Sequence, residues 1–386
     1  MTLLTRKSLI LAKSESTYGT DISPVGTDAV LVRSLEVTPI EADTVSRELI
    51  RPYLGGSEQL LANAHVGVTF EVELVGSGTA ATAPRFSSLL KACGMVETIT
   101  AAAVTGTAQA GSAGSITLAS GASATDGVYV GMIVSITSGT GSGSSGVISA
   151  YNGTTKVATV KAITAAFTPG VSSVYSIAAN VGYRPVSSSF SSATIYYNND
   201  GILHKITGAR GTFAINATVG EIPVIEFTMV GIYNAPTDTA APTATYTNQA
   251  SPLIFKAENT SAFTVFGYAG CLMELSFDIA NETLYRELVG CTKEVIITTR
   301  AAEGEMKIEA PTIAQYDFFS AALASTTGAV TLVHGTTAGN RVTVVLPTIS
   351  LANPAYEDED GIQMLGLPYV AVPTTIGNDE ISLTFA

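Results

Sequence analysis

Three histidines, His65, His204 and His334, are the chain's readiest acid–base groups. None stands with a serine or cysteine in a recognisable nucleophile setting. The run Gly139-Thr140-Gly141-Ser142-Gly143 places a serine among glycines, yet it lacks the strand-then-helix elbow that makes such a serine reactive. The wider Gly-rich stretch 138–146 reads as a flexible turn, because no helix and no lysine directly follow it to cradle a phosphate. Cys93, Cys271 and Cys291 show neither metal-ligand spacing nor an even disulfide set, and are expected to be buried thiols in a reducing compartment. The acidic run Glu357–Asp360 could hold a hard cation, but a solvated loop or charged rim suits it better. Nothing points to the separated carboxylates of glycoside cleavage. No catalytic, cofactor or metal residue is assigned, and the chain is expected not to be an enzyme.

The elements around these residues carry more information. The chain has 386 residues, enough for two or three domains. It is 46% hydrophobic but only 13% charged, about half the globular average, so something besides water is expected to cover part of its surface. Gly, Ser, Thr, Ala and Val dominate and Trp is absent, which favours β-structure with tight turns. A net charge of −13 repels phosphates and excludes an ordinary duplex binder. The apolar run after Arg6 and Lys7 is too short for a signal-peptide core, and no segment approaches a membrane span. Folding in the cytoplasm, with no membrane insertion, is the expectation.

An internal repeat organises the chain. "TVSREL" (44–49) returns as "TLYREL" (283–288): Ile40, Thr44, Arg47, Glu48 and Leu49 recur as Ile279, Thr283, Arg286, Glu287 and Leu288, all displaced by 239. Upstream, Lys13, Glu15 and Thr17 fall on Lys256, Glu258 and Thr260. Downstream, each copy offers a helix and then a hairpin. Pro84 and Gly94 bracket the first helix, with Phe86, Leu89, Leu90 and Cys93 on one face; Tyr316, Phe319, Ser320 and Leu323 take the same steps in the second. Hairpin turns are expected at Asn199–Gly201 and Ala338–Asn340. The first copy holds about 93 additional residues between helix and hairpin, and residues 101–178, with twelve glycines and three charged residues, read as an inserted β-module of short strands. The expected domains are therefore a first unit over 1–100 and 179–236 with an N-terminal arm, the outward-facing module 101–178, a linker arm 237–250, and a second unit 251–386.

In "VTFEVELVG", Val68, Phe70, Val72 and Leu74 face one way while Thr69, Glu71 and Glu73 face the other, as in a sheet packed behind and wet in front. The stretches 9–21 and 193–233, with the ending "LPYVAVPTTIGNDEISLTF", resemble the major tail tube proteins of long-tailed bacteriophages, and 114–160 is similar to a β-module of phage virion proteins. The fold class expected is mainly β: two tandem tail-tube β-sandwich or barrel units, each with a flanking helix, plus the inserted β-domain.

The resemblance implies a structural virion protein. In the family, six units close into a ring whose inner sheets join as one barrel, and rings stack into a hollow tube for genome ejection. A doubled chain then needs three copies per ring, a trimer with pseudo-sixfold symmetry; without the duplication the ring is a hexamer. Implied partners are further copies of the chain, the tape measure, tail terminator and tail tip, with DNA passing through the lumen unbound. Glu71, Glu73 and Glu36 are the lumen-facing candidates. Segments 1–32 and 234–252 are candidate inter-ring arms that order on stacking. An outward module would collide with a contractile sheath, which favours a non-contractile, siphovirus-type tail. The alternatives are another tail structural protein (terminator, tip component or fibre), an adhesin, which wants an export signal, and a depolymerase, which wants clustered carboxylates and Trp.

Overall fold

A computed structural model of the chain describes residues 3–162, 167–374 and 377–386. Met1 and Thr2 of the expected arm, residues 163–166 of the expected module, and Thr375 and Ile376 of the closing stretch lie outside the described residues. The protein is mainly β, with several sheets and, among the described residues, no closed barrel within one chain.

The first half opens with β1 (Ser8–Ser14), β2 (Ala29–Val30) and the long hairpin β3 (Arg33–Ser46) and β4 (Gln59–Glu73). Helix α1 (Ser87–Ala92) and β5 (Met95–Thr100) follow. Next come β6 (Val104–Thr107), β7 (Ala110–Ser112), β8 (Ser115–Thr117), β9 (Ile133–Ser138), β10 (Ser145–Asn152), β11 (Val157–Ala162) and β12 (Val174–Ile177), which form a seven-stranded sheet of their own. The chain returns through β13 (Asn180–Pro185), β14 (Ala193–Asn199), β15 (Ile202–Thr218), β16 (Val224–Tyr233) and β17 (Thr237–Asp238). The second half runs β18 (Thr260–Val265), β19 (Leu272–Asp278), β20 (Asn281–Arg286), β21 (Glu294–Arg300), β22 (Glu303–Glu309), α2 (Phe318–Leu323), β23 (Thr327–His334), β24 (Val342–Leu351), β25 (Ala355–Glu359), β26 (Ile362–Ala371) and β27 (Ser382–Phe385).

One order of pairing occurs twice. In the first half it is β1–β14–β15–β16–β4–β3, and in the second β18–β23–β24–β26–β22–β19, antiparallel throughout. The β14–β15 and β23–β24 hairpins share a bulge, between Ile206 and Ala209 in one and Leu346 and Ile349 in the other. In each long hairpin, an arginine faces a glutamate across the strands. Arg47 meets Glu58 at 2.8 Å and Arg286 meets Glu294 at 2.6 Å.

The two halves share one apolar core. Alternation along β4 buries Val66, Val68, Phe70 and Val72, and the equivalent faces of β15, β16 and β19 contribute Phe213, Phe227 and Phe277. Ring centroids step from Phe70 to Phe227 (5.9 Å), to Phe213 (6.2 Å), to Phe277 (6.3 Å), so this aromatic row crosses from one half to the other. Phe86, Leu89, Leu90 and Cys93 of the α1 region are all buried, as their spacing requires, and Phe86 bridges Phe227 to Phe385 of β27.

Several expectations need correction. Segment 8–14 is no free arm: β1 lies in register with β14 and buries Ile10 and Leu11 fully. The linker is also anchored, through Thr239 to Gly201, Thr245 to Gly26 and Ala250 to Gly76. Leu323 is 89% exposed, and the buried residues of α2 are Phe318 and Ala321. That helix is six residues long and starts at its Asp317 cap, so a face drawn from Tyr316 begins outside it. Lys13 lies inside β1 whereas Lys256 and Glu258 precede β18, so that part of the internal match does not share a structural place. Cys93 is buried, but Cys271 and Cys291 are exposed.

The extra length of the first half is larger than the sheet it carries. β5 and β13 pair with each other, Met95 opposite Pro185 and Thr100 opposite Asn180, and β13 pairs in turn with β27, so both strands extend the main sheet at the point where the seven-stranded sheet departs. That sheet has its own core, built on Ile116, Val134, Ile148, Val160 and Tyr175. On β27, Leu383 and Phe385 enter the main core, while Ser382 and Thr384 turn the other way and donate to the carbonyls of Val130 and Gly131. Replacing Val104–Ile177 by a short Gly/Ser turn between Ala103 and Ala178 should leave a cooperatively folding body whose melting temperature stays within about 5 °C. Calorimetry reads this directly, and loss of the cooperative transition would mean the two cores are one.

Candidate functional site: an acidic sheet face

Eight strands make a continuous antiparallel run, β3–β4–β16–β15–β19–β22–β26–β25. Period-2 alternation gives this run an apolar face on the core and a second face turned away from it. Carboxylates gather on the second face. The first half supplies Glu36, Glu71, Glu73 and Glu226; the second supplies Glu274, Asp278, Glu303, Glu305 and Glu309, with Glu357 and Glu359 on the edge strand.

Register aligns several of them into a band across the strands. Glu71 stands opposite Glu226, Glu226 opposite Ala214, Ala214 opposite Asp278, and Asp278 opposite Glu303. Like charges placed directly opposite destabilise a sheet by up to about 1 kcal/mol. The band therefore opposes folding slightly, and solvent access keeps that cost small. Glu36 sits one row away, opposite Thr69, which faces Thr228 in turn. All three candidates read from the sequence thus share one face with Thr69, Glu226 and Thr228. The second-half carboxylates were missed, although "EGEMKIE" alternates as cleanly as β4 does, with Met306 and Ile308 buried between Glu305, Lys307 and Glu309.

Among the described residues, Arg33 and Lys307 bring cations to this face. Arg33 stands in register with Glu71 where β3 begins. Lys307 reaches Glu357 at 2.9 Å and Glu359 at 2.8 Å, spanning from β22 across β26 to β25. Hydrogen bonds to Glu359 and Glu357 push the Lys307 ammonium pKa up. This clasp is therefore present below the ordinary lysine value and is lost only as pH rises through the raised one. It also accounts for two carboxylates of the acidic run, which point at an ammonium group within the chain.

The histidines are scattered. His65 stacks on Tyr285 at 5.0 Å, His204 lies against Tyr197, and His334 contacts the Leu253 carbonyl and Thr260. Burial lowers the pKa of His204 and His334. The three do not share a site with one another, and the hydroxyl that His334 meets belongs to Thr260 on the adjacent strand β18. A cavity of about 530 Å³ beside Phe255, Phe263 and Leu272 is lined by apolar and hydroxyl side chains together with Lys256 and Cys271. Among the described residues no helix is long and apolar enough to cross a membrane.

Comparison with known proteins gives a single answer. The family model described as phage tail tube protein matches residues 5–386, and no curated protein matches the chain. If Lys307 organises the edge strand as the geometry indicates, Lys307→Ala should speed amide exchange across Ala355–Glu359 several-fold while leaving Glu303–Glu309 protected. Hydrogen–deuterium exchange with mass spectrometry measures both segments in one experiment.

Proposed function

The chain belongs to the phage tail tube protein family, and from that premise we propose that three copies close into a ring whose bore is the acidic face. The family is one of structural tail components, not of enzymes, and implies self-assembly into a tube within the virion. The reading adds the finer points: a trimer with pseudo-sixfold symmetry, stacking of rings, and passage of DNA through the lumen during ejection.

The observation that carries the proposal is the recurrence of one pairing order in two halves joined edge to edge into an eight-stranded run. Three such runs give about 24 strands, and at roughly 4.8 Å per strand a backbone-to-backbone diameter of about 37 Å, which strand tilt widens further. Such a bore leaves room for double-helical DNA after side chains are counted. A lining of carboxylates and hydroxyls suits transit, since each lysine set against a phosphate would add affinity and friction. Glu71 and Glu73, with Glu36, are proposed to face that bore.

Stacking has a natural agent in the hairpin tips. Ile50 and Leu54 at the β3–β4 tip are fully exposed, as is Val289 at the β20–β21 tip. Exposed aliphatic tips on long arms are costly unless a neighbour covers them. The seven-stranded sheet packs on Ser382 and Thr384, which point out of the main core, so it is proposed to project from the outside of the tube. A projecting module leaves little space for a contractile sheath, which supports a sheathless siphovirus-type tail. Assembly in the host cytoplasm, alongside tape measure, terminator and tip proteins, completes the reading.

Two measurements test it. End-on electron microscopy averages of the purified assembly should show threefold rotational order with a pseudo-sixfold wall; strict sixfold order, or discrete globules, would overturn the trimer. Glu71→Lys with Glu73→Lys should leave tubes intact but slow genome ejection, and unchanged ejection kinetics would remove the lining role.

A further inference from the structure

Within one chain the two halves of the acidic sheet meet at a single seam. Along it, β15 and β19 place Ala214 opposite Asp278, Ile215 opposite Phe277, Asn216 opposite Ser276 and Ala217 opposite Leu275. Both seam strands have counterparts at the outer edges of the same sheet. The shared hairpin bulges align Ala209 with Ile349, which carries Met229 onto Tyr369 and Glu226 onto Gly366. Ala355, the partner of Gly366, therefore stands where Ala214, the partner of Glu226, stands. By the same tracing Phe227 falls on Leu367, Phe70 on Met306, and Leu35 on Leu275. The internal seam thus has two unfilled halves: β25 at one edge and β3 at the other. Among the described residues β25 pairs only with β26, and β3 only with β4.

We propose that β25 of one copy pairs antiparallel with β3 of a second copy in the register of the internal seam. Ala355 lies opposite Thr38, Tyr356 opposite Val37, Glu357 opposite Glu36, and Asp358 opposite Leu35. This rests on the ring reading above and specifies how its copies join.

Burial supports the assignment. Ile215 and Phe277 are each 1% exposed at the internal seam, whereas Tyr356 is 53% exposed and Val37 and Leu35 are only partly covered. An unpaired edge with apolar side chains on its core face is a template for another strand. The edge is also held ready. Tyr356 lies against Phe319 at 5.2 Å, and Lys307 fixes Glu357 and Glu359. The two seams differ in charge: the neutral pair Asn216 and Ser276 is replaced by Glu357 and Glu36. Facing carboxylates weaken the seam between chains relative to the seam within, and the Lys307 ammonium on Glu357 offsets that repulsion.

The test uses the full chain. On wild-type protein, hydrogen exchange before and after assembly should show protection gained in 34–38 and 355–359. In a Cys271→Ser, Cys291→Ser background, Val37→Cys with Tyr356→Cys should yield covalent oligomers on oxidation, ending at the ring. Glu36→Cys with Tyr356→Cys, which face opposite sides, should yield none. Lys307→Ala should weaken ring formation by about five-fold, and Glu36→Gln should restore it. Rings visible by microscopy without protection at these strands would overturn the seam while sparing the ring reading. A wild-type chain that stays monomeric would overturn the ring reading itself, and the seam with it.

Discussion

The architecture depends on one strand belonging to two layers. β15 pairs with β14 through its first half and with β19 through its second, on either side of the bulge at Thr207 and Gly208. Gly208 has φ +60°, and a Cβ there would come within 2.8 Å of the Tyr18 ring. The Glu15 carboxylate fixes this point. It accepts from the amides of Gly19 and Gly208 and from the hydroxyls of Ser192 and Thr194. Tyr18 adds a second tie, donating to the Gly208 carbonyl and accepting from the Val295 amide, with Arg210 over its ring. The N-terminal loop, the bulge and the β20–β21 hairpin are thereby locked together. In the second half the corresponding bulge contains Pro347, which has no amide hydrogen to leave unpaired. Two different chemistries support one geometry, as expected where the bend itself is the requirement.

The uneven placement of charge follows from the same division into layers. The seven-stranded sheet is nearly neutral and stands across the core from the acidic face, while that face concentrates carboxylates in register. At physiological salt the field of an exposed charge fades over about 8 Å. An open acidic sheet would thus act only on its immediate surroundings. Curved into the wall of the proposed ring, the same carboxylates would face a confined volume from every side, which would give the facing pair Glu71 and Glu226 a use that offsets its small cost to folding.

Much of this was legible in the sequence, and the failures have physical causes. Alternation in β4 was readable because one face is apolar without exception from Val66 to Val72. The displacement of 239 placed Arg47 and Arg286 correctly, and the structure adds that each faces a glutamate from the returning strand. The match of Lys13 with Lys256 failed because short polar patterns recur by chance in Ser/Thr-rich chains. The hairpin bulges align Ile195 with Val330, a displacement of 135 rather than 239. Gaps between strands are invisible to residue identity, and only hydrogen-bond register reveals them. The arm reading of β1 failed for a related reason: "SLILA" is apolar on both faces, the mark of an interior strand, but its partner β14 lies about 180 residues away. The edge strand β25 was masked by its charge, since "YEDE" looks like a loop until Lys307 is placed beside it.

Fusing two units in one chain changes how a ring can form. In the proposed trimer three of six equivalent seams are intramolecular, closed at high effective concentration before any encounter in solution. Those seams carry the aromatic step from Phe213 to Phe277 and no facing acid pair. The three remaining seams carry Glu36 against Glu357 and need Lys307 to offset it. Strong seams inside and weaker ones outside keep the single chain folded while making closure depend on all three copies together. The fusion also lets the units diverge. Among the described residues only the first carries β5, β13 and the seven-stranded sheet, so in the proposed ring the outward modules number three and are spaced twice as widely as the units that form the wall. A ring of six identical units could not place a bulky module on alternate positions, and this freedom gives the duplication a physical advantage beyond symmetry.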